Sequence, residues 1–552
     1  MDLSRFLRFS NGVTKVLSIS FRTGLLGALW LFAPATSSHA MDEETTKTIT
    51  DLKTQLQLLM DKVTKLESQV VPPTPSISTP TTPGTTTQTN VVTSTTSLTP
   101  SPTQAAQTPP SEDIPGWILS ERTLDGTTEA ASNAIQHGRP NPPMLDMSEN
   151  GLIFRSKDNR HALRFGGELQ LDRREFIDDG SSTVSKFLIR RARPYVAGYF
   201  YDDWDFRFAQ EFSVTSPNGA NYQSTIADAF INYHAIEELQ LQAGKFKAPV
   251  SLEMNVAGTN TMFNERSVTE NLTPNRVVGF MTHGLLFDEK LSWAAMVGAN
   301  ARNDNLQTGL DVHSGTMGYF RLFARPFKDE SNVPEALQGL HLGVGGSIGY
   351  QTHSNLGTST LFQSYSTDGG NSFFVFPDGL NTQGEHWRIS PQLYYNYGPF
   401  GLMGEFIAEK QGVNTSAVGA GGGLTNYEST AWNISANYVL TGEKATLDGI
   451  IPREPFDFKN GKWGAWEMAL RYDGMALGDN MFRPVSQGGL GASATENATG
   501  INGVSWALNW YINRIIRLGL TIEYNAFTGG GAPGTVVENN ELGILTRLQL
   551  MY

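Results

Sequence analysis

The chain has 552 residues and no cysteine, so disulfides and thiolate metal sites are excluded. Long apolar runs are also missing. A helical membrane protein of this size would show several stretches of roughly 20 apolar residues, and beyond the N-terminal region none occurs. Positive charge is in deficit: 41 Lys and Arg face 54 Asp and Glu, a formal net charge of −13. That argues against nucleic-acid binding, which needs a basic footprint. The nine His residues show no H-E-x-x-H spacing and no cluster with metal-ligand spacing, and no P-loop is present. One G-x-S-x-G spelling occurs, Gly345 to Gly349, but it lies in the Gly-rich stretch HLGVGGSIGY with no helical pattern after it. A nucleophile elbow needs a strand-to-helix turn. The expectation is no enzyme, no metal and no cofactor.

What is present falls into blocks. Residues 1–40 read as a secretory signal: Arg5, Arg8, Lys15 and Arg22 precede a short apolar core from Gly24 to Ala33, and Ser38-His39-Ala40 is a small-x-small cleavage pattern. Residues 41–71 read as a coiled coil. Ile49, Leu52, Leu56, Leu59, Val63, Leu66 and Val70 are spaced alternately three and four apart, the a and d positions of a heptad. The stretch is only about 30 Å long as a helix, so it needs support from another oligomeric unit. Residues 72–115 form a linker, without a charge from Pro72 to Ser111 and rich in Thr, Ser and Pro; such composition buries no core and is expected to be disordered. Residues 116–149 are a lead-in with no assigned structure.

From residue 150 to Tyr552 the period becomes two. Leu163, Phe165, Leu169 and Leu171 share one face, with Arg164, Glu168 and Gln170 opposite; Trp506, Leu508 and Trp510 alternate with Ala507, Asn509 and Tyr511. In a soluble sandwich the apolar faces would meet each other, whereas in a membrane barrel they meet lipid. The strand Ile544, Thr546, Leu548, Leu550, Tyr552 alternates up to an aromatic last residue, where a soluble domain usually frays. With 56 Gly and 10% aromatics, the expectation is an all-β, transmembrane antiparallel barrel. At about 9–11 residues per strand it has about 16 strands. The chain then belongs in the bacterial outer membrane, in contact with its lipid, with the N-terminal arm in the periplasm.

Several stretches resemble the phosphate-selective porin O and P family: NGLIFRSKDNRHALRFGGELQLD (Asn150 to Asp172), FLIRRARPYVAGYFYDDWDFRFAQEF (Phe187 to Phe212), AGKFKAPVSLE (Ala243 to Glu253), TMFNER (Thr261 to Arg266), YGPFGLMGEF (Tyr397 to Phe406), YVLTGE (Tyr438 to Glu443), GAWEMALRYDGMAL (Gly464 to Leu477) and NWYINRIIRLGLTIEY (Asn509 to Tyr524). The resemblance implies a homotrimer of 16-stranded barrels, an Arg ladder and an inward loop over Pro249 to Arg276. It implies passive diffusion of small anions such as phosphate. Phosphate-selective members carry Lys at the position of Thr259. This chain reads Gly258-Thr259-Asn260, one central cation fewer, which favours a general or weakly anion-selective pore.

The expected anion path is Arg191, Arg193, Arg207, Lys245, Lys247, Arg266 and Arg276. Arg191 and Arg193 are two apart and share a face, Arg207 lies on the polar face of the next strand, and alternation sends Arg190 to the other side. Arg suits phosphate because its planar fork binds oxygens in pairs. The competing reading is that these side chains pair with Asp205, Glu211 and Asp228 to brace the wall. Two further readings are a sugar-type porin, with Tyr195, Phe230 and Tyr511 as aromatic contributors, and an envelope tether or adhesin whose arm contacts peptidoglycan or another envelope component.

Overall fold

The structure, a computed structural model, describes residues 144–148, 151–177, 185–215, 222–299, 315–351, 362, 364–530 and 540–552. The expected signal peptide, coiled coil and linker, and most of the lead-in, lie outside them. No described helix is long and apolar enough to cross a membrane.

A hairpin of β1 (Met144–Ser148) and β2 (Gly151–Arg155) leads into β3 (His161–Ile177), β4 (Lys186–Phe200), β5 (Trp204–Thr215), β6 (Tyr222–Tyr233), β7 (Gln240–Lys247), β8 (Arg276–Leu286), β9 (Leu291–Ala299), β10 (Thr316–Ala324) and β11 (Leu340–Gln351). A two-stranded loop hairpin, β12 (Tyr365–Ser366) and β13 (Ser372–Phe374), precedes β14 (Asn381–Tyr397), β15 (Phe400–Asn414), β16 (Leu424–Val439), β17 (Ala465–Leu477), β18 (Ala498–Tyr511), β19 (Ile516–Gly529) and β20 (Asn540–Met551). Apart from β12 and β13, every strand joins one antiparallel sheet. Sixteen of them close into a barrel, with the β1–β2 hairpin appended to the start of β3. Closure is made by β20 on β3, with Leu548 opposite Leu171 and Leu550 opposite Leu169. Tyr552 and Gly167 then exchange backbone bonds of 2.6 and 2.9 Å. A closed barrel has no free edge strand; where the β4–β5 ladder stops at Tyr195 opposite Ala209, Ala192 N turns to Glu211 Oε1 instead.

Burial is inverted relative to a water-soluble core. Phe280 is 68% and Leu470 57% exposed on the outer face, while Arg471 is 1% and Asp473 0% exposed inside. An apolar exterior around a charged interior is stable only against lipid. The outer face ends in an aromatic belt. Phe200 stacks on Trp204, Trp204 lies 4.8 Å from Tyr233, and Trp466 stacks on Trp510 at 5.2 Å. Trp510 donates its indole N–H to Trp463 O at 2.7 Å. Such rings settle where hydrocarbon meets headgroups.

The belt lies at the end where connections are shortest, as at residues 201–203, 287–290 and 398–399. This is the turn end. The opposite, loop end carries the long connections, among them 248–275, 352–380 and 478–497. Two turn-end connections are also long, 325–339 and 440–464; the second folds inward, and Tyr394 Oη and Asn396 Nδ2 bond Ala445 O at 3.4 and 3.3 Å.

Candidate functional site

Residues 248–275 leave the wall and cross the lumen. Ser251 caps α1 (Leu252–Asn255) through a bond from Met254 N to its Oγ at 3.0 Å. Glu405 of β15 accepts from Leu252 N, Glu253 N and Ser251 Oγ at 3.0, 3.1 and 2.9 Å. On the far wall Asn264 donates its side-chain Nδ2 to Leu545 O at 2.7 Å and its backbone N–H to Thr521 Oγ1 at 3.1 Å. Val268 N reaches Asp473 at 3.0 Å. The loop therefore ties β7 and β8 to β15, β17, β19 and β20 and divides the lumen.

Its centre is Glu265, which accepts from Arg190 Nε and Nη2 at 2.6 and 3.0 Å, Arg174 at 2.5 Å and Arg547 at 2.8 Å. Arg547 also grips Asp172 with two bonds of 2.7 Å. Arg190 corrects the alternation argument. Gln170 pairs with Arg191 while Leu171 pairs with Ile189, so Arg190 is the extra residue of a β-bulge. The bulge turns its side chain inward beside Arg191.

The expected anion path divides into three groups. Arg193 bonds Glu168 at 2.5 Å and Glu211 at 2.8 Å; Arg276 grips Asp228 at 2.7 and 3.2 Å; Arg207 lies 3.6 Å from Asp228 and over the Tyr195 ring at 4.2 Å. Two of the carboxylates considered for bracing, Glu211 and Asp228, do pair with this group, whereas Asp205 meets His234 instead. Lys247 and Arg266 support the loop backbone: Lys247 Nζ donates to Val256 O at 2.8 Å and Arg266 Nη2 to the same oxygen at 2.7 Å. Arg191 donates to Gln170 Oε1 at 2.7 Å and packs against Gly258, where any Cβ would fall 2.7 Å from its Nη1. Lys245 is buried after Gly244, whose φ of +130° only glycine adopts freely.

Below the loop, on the turn side, is a cavity of about 350 Å³. Its lining includes Arg193, Arg207, Lys247 and Arg276 from the expected set, but not Arg191, Lys245 or Arg266. Arg164, Arg514 and Arg517 complete seven basic side chains, against the acidic Glu168, Asp228 and Asp448. Tyr195, Phe230 and Tyr511 line it as well. Sequence reasoning missed Arg517. Its Nη1 donates to Thr259 O at 3.0 Å, and Gln549 donates to the same oxygen at 3.0 Å. The strand period places Arg517 inward, but only the barrel closure brings it to the inward loop.

Above the loop the lumen is packed with apolar groups. Tyr365, Phe373, Phe374 and Phe376 of the 352–380 connection meet Met481 and Leu490 of 478–497, Val268 and Leu272 of the inward loop, and Ile407, Tyr427, Met475 and Ile501 of the wall. Phe374 and Phe376 are T-shaped at 4.9 Å, and Phe376 lies 5.5 Å from Tyr427. Asn271 holds the hairpin by exchanging bonds of 2.9 and 3.0 Å with Ser366, and Arg471 pairs with Asp368. The described cavity is thus on the turn side, and on the loop side an apolar cluster packs against β15 to β18.

Among solved structures the chain is similar to the outer membrane channel DcaP of Acinetobacter baumannii (10% identity, 72% of this chain and 99% of that one, TM-score 0.44). It is also similar to OmpT of Vibrio cholerae (9%, 71% and 98%, TM-score 0.42) and to Salmonella typhi OmpF in complex with daunomycin (10%, 74% and 100%, TM-score 0.42). A search of curated proteins found no match. The family model described as phosphate-selective porin O and P matches residues 164–552, the barrel from its first strand to its last. With a closed sixteen-stranded barrel, an apolar exterior and an inward loop across a charged lumen, the chain belongs to the phosphate-selective porin O and P family and is an outer-membrane porin.

Proposed function

We propose that this porin admits small hydrophilic anions, phosphate among them, by passive diffusion through the cavity on its turn side. One observation carries the reading: seven basic and three acidic side chains line that cavity in a chain whose net charge is −13. Selectivity follows the local field at the narrow part of a pore, not the total charge. Pairing does not cancel the excess: Arg193, Arg207 and Arg276 are matched by Glu168, Glu211 and Asp228, and Arg164, Lys247, Arg514 and Arg517 remain against Asp448. Moderate affinity suits conduction, since an ion held too tightly blocks the path.

The test is the reversal potential of the full-length porin in a planar bilayer under a potassium chloride gradient, followed by phosphate titration. An anion-selective potential with chloride current blocked by phosphate supports the reading, and a cation-selective potential overturns it. A sugar-type porin is the second reading, favoured by Tyr195, Phe230 and Tyr511 all facing the cavity. Current interruption by neutral oligosaccharides, with none by phosphate, would select it.

The assembly proposed is a homotrimer in outer-membrane lipid, with turn ends in the periplasm. The heptad residues Ile49 to Val70 would join the three arms there, where they could reach peptidoglycan or another envelope component. Deleting residues 41–115 separates the roles: unchanged conductance with a loosened envelope supports tethering by the arm, and an unaltered envelope removes it.

A further inference from the structure

We propose that a short aromatic finger at the turn end, residues 456–463, is a docking site for phospholipid headgroups of the leaflet at that end, with Phe458 and Trp463 seated among them and Lys459 on a phosphate. The inference stands on the membrane barrel and is independent of the solute reading above. The 440–464 connection begins inside the barrel, where Ile450 and Ile451 line the cavity, and then passes to the outer face. There Phe456 meets the outward ring of Trp510 edge to face at 5.2 Å and lies 5.9 Å from Trp463. Phe456 N donates to Ile512 O at 2.7 Å, one residue past the end of β18. The finger therefore starts where the aromatic belt ends and continues it away from the hydrocarbon.

Its own bonds fix its shape. Asp457 and Lys462 exchange backbone bonds of 3.0 and 2.9 Å. The Asp457 carboxylate accepts from Lys459 N at 3.0 Å and Asn460 N at 3.3 Å. Gly461 closes the turn at a φ of +69°, which glycine adopts without strain. On this frame Phe458 is 76% and Trp463 56% exposed, with their rings 6.5 Å apart. A preformed turn thus holds two large rings outward, and a ligand that covers them meets little ordering cost.

Position and charge together choose the occupant. The belt marks the level where hydrocarbon meets headgroups, so a finger that continues it outward lies at the level of the phosphates. Lys459 is exposed at the tip, between the two rings in sequence. Lys462 is paired with Glu454 at 3.1 Å, and the Asp457 carboxylate is turned onto the backbone of the finger itself. The tip therefore presents two rings and a cation. The headgroup layer answers both, because it takes up aromatic rings and offers phosphate to an ammonium at the same depth.

The chain contains no cysteine, so N460C places a single nitroxide label at the tip of the full-length porin. The protein is reconstituted in vesicles of phosphatidylcholine and phosphatidylglycerol. Relaxation of the label is read with nickel chelated to a lipid headgroup and with a soluble nickel complex. Headgroup-bound nickel is expected to dominate. Adding F458S and W463S together should lower the ratio of the two effects at least fivefold, and K459Q should lower it about twofold. Conductance should stay unchanged throughout, which shows that the barrel has folded. Dominance of soluble nickel in N460C places the finger in water and overturns the proposal. A label that neither form of nickel reaches is covered by protein, a second copy or the arm, and overturns it too. An unchanged ratio in F458S/W463S overturns the role of the rings, and an unchanged ratio in K459Q overturns that of Lys459.

Discussion

The two halves of this lumen are built from the same strands with the same alternation, yet they are filled in opposite ways. On the turn side, inward positions carry Arg164, Glu168, Arg207 and Arg517 around open space. On the loop side, inward positions of β15 to β18 carry Ile407, Tyr427, Met475 and Ile501, and aromatic loop residues pack onto them. Facing inward in a barrel therefore does not mean facing water. An inward side chain is polar where solvent reaches it and apolar where a loop lies on it, and the boundary here is the inward loop at Glu265.

This contrast can be broken from either side. The largest effect is expected from removing residues 364–378, which form the loop-side layer. Conductance should rise several-fold, because apolar side chains that fill part of the lumen oppose the passage of ions; an unchanged conductance would show that the barrier lies elsewhere. Next is R547A, which removes one of the two guanidiniums shared by Asp172 and Glu265 and leaves Arg174 on both. Because Arg174 and Arg190 still compensate the carboxylates, the loss should stay below the about 3–5 kcal/mol of a fully broken buried pair, and the denaturation midpoint in detergent should fall. Retention of the wild-type midpoint would show that Arg547 is not needed to tie Glu265 to the wall. F374D should act like a partial deletion, since a carboxylate cannot stay among Tyr365, Phe376 and Phe482. Conductance should rise by less than in the deletion, with no change in ion preference. The smallest structural effect is expected from R207Q. Its ion pair is long and its side chain one-fifth exposed, so stability should fall by less than about 1 kcal/mol. The reversal potential should still move toward cations, and a static potential would take Arg207 off the ion path.

Much of the barrel is legible from periodicity. Leu163, Phe165 and Leu171 point outward as their spacing requires, and the Gly345 to Gly349 stretch is strand β11 rather than a nucleophile turn. The candidate site is less legible. Alternation with an unbroken register sends Arg190 outward, and one extra residue in β4 reverses it. Arg193 and Arg276 are recognisable as cations with Glu211 and Asp228 as candidate partners, but the second partner of Arg193, Glu168 of β3, shows only in the structure. Arg517 belongs to a stretch whose family resemblance was visible, while its contact with Thr259 spans 258 residues of sequence.

The sequence alone determined the all-β class and the outward apolar and inward polar faces, which are written in local period and expressed by neighbouring side chains without distant help. Short stretches of it carried the resemblance to the family, and that resemblance implied the inward loop over Pro249 to Arg276. Tertiary structure alone decided which cations meet carboxylates, which line open space and where apolar loop residues pack into the lumen. These depend on register, bulges and closure of β20 on β3, and those fix height along the barrel axis only when all sixteen strands are paired.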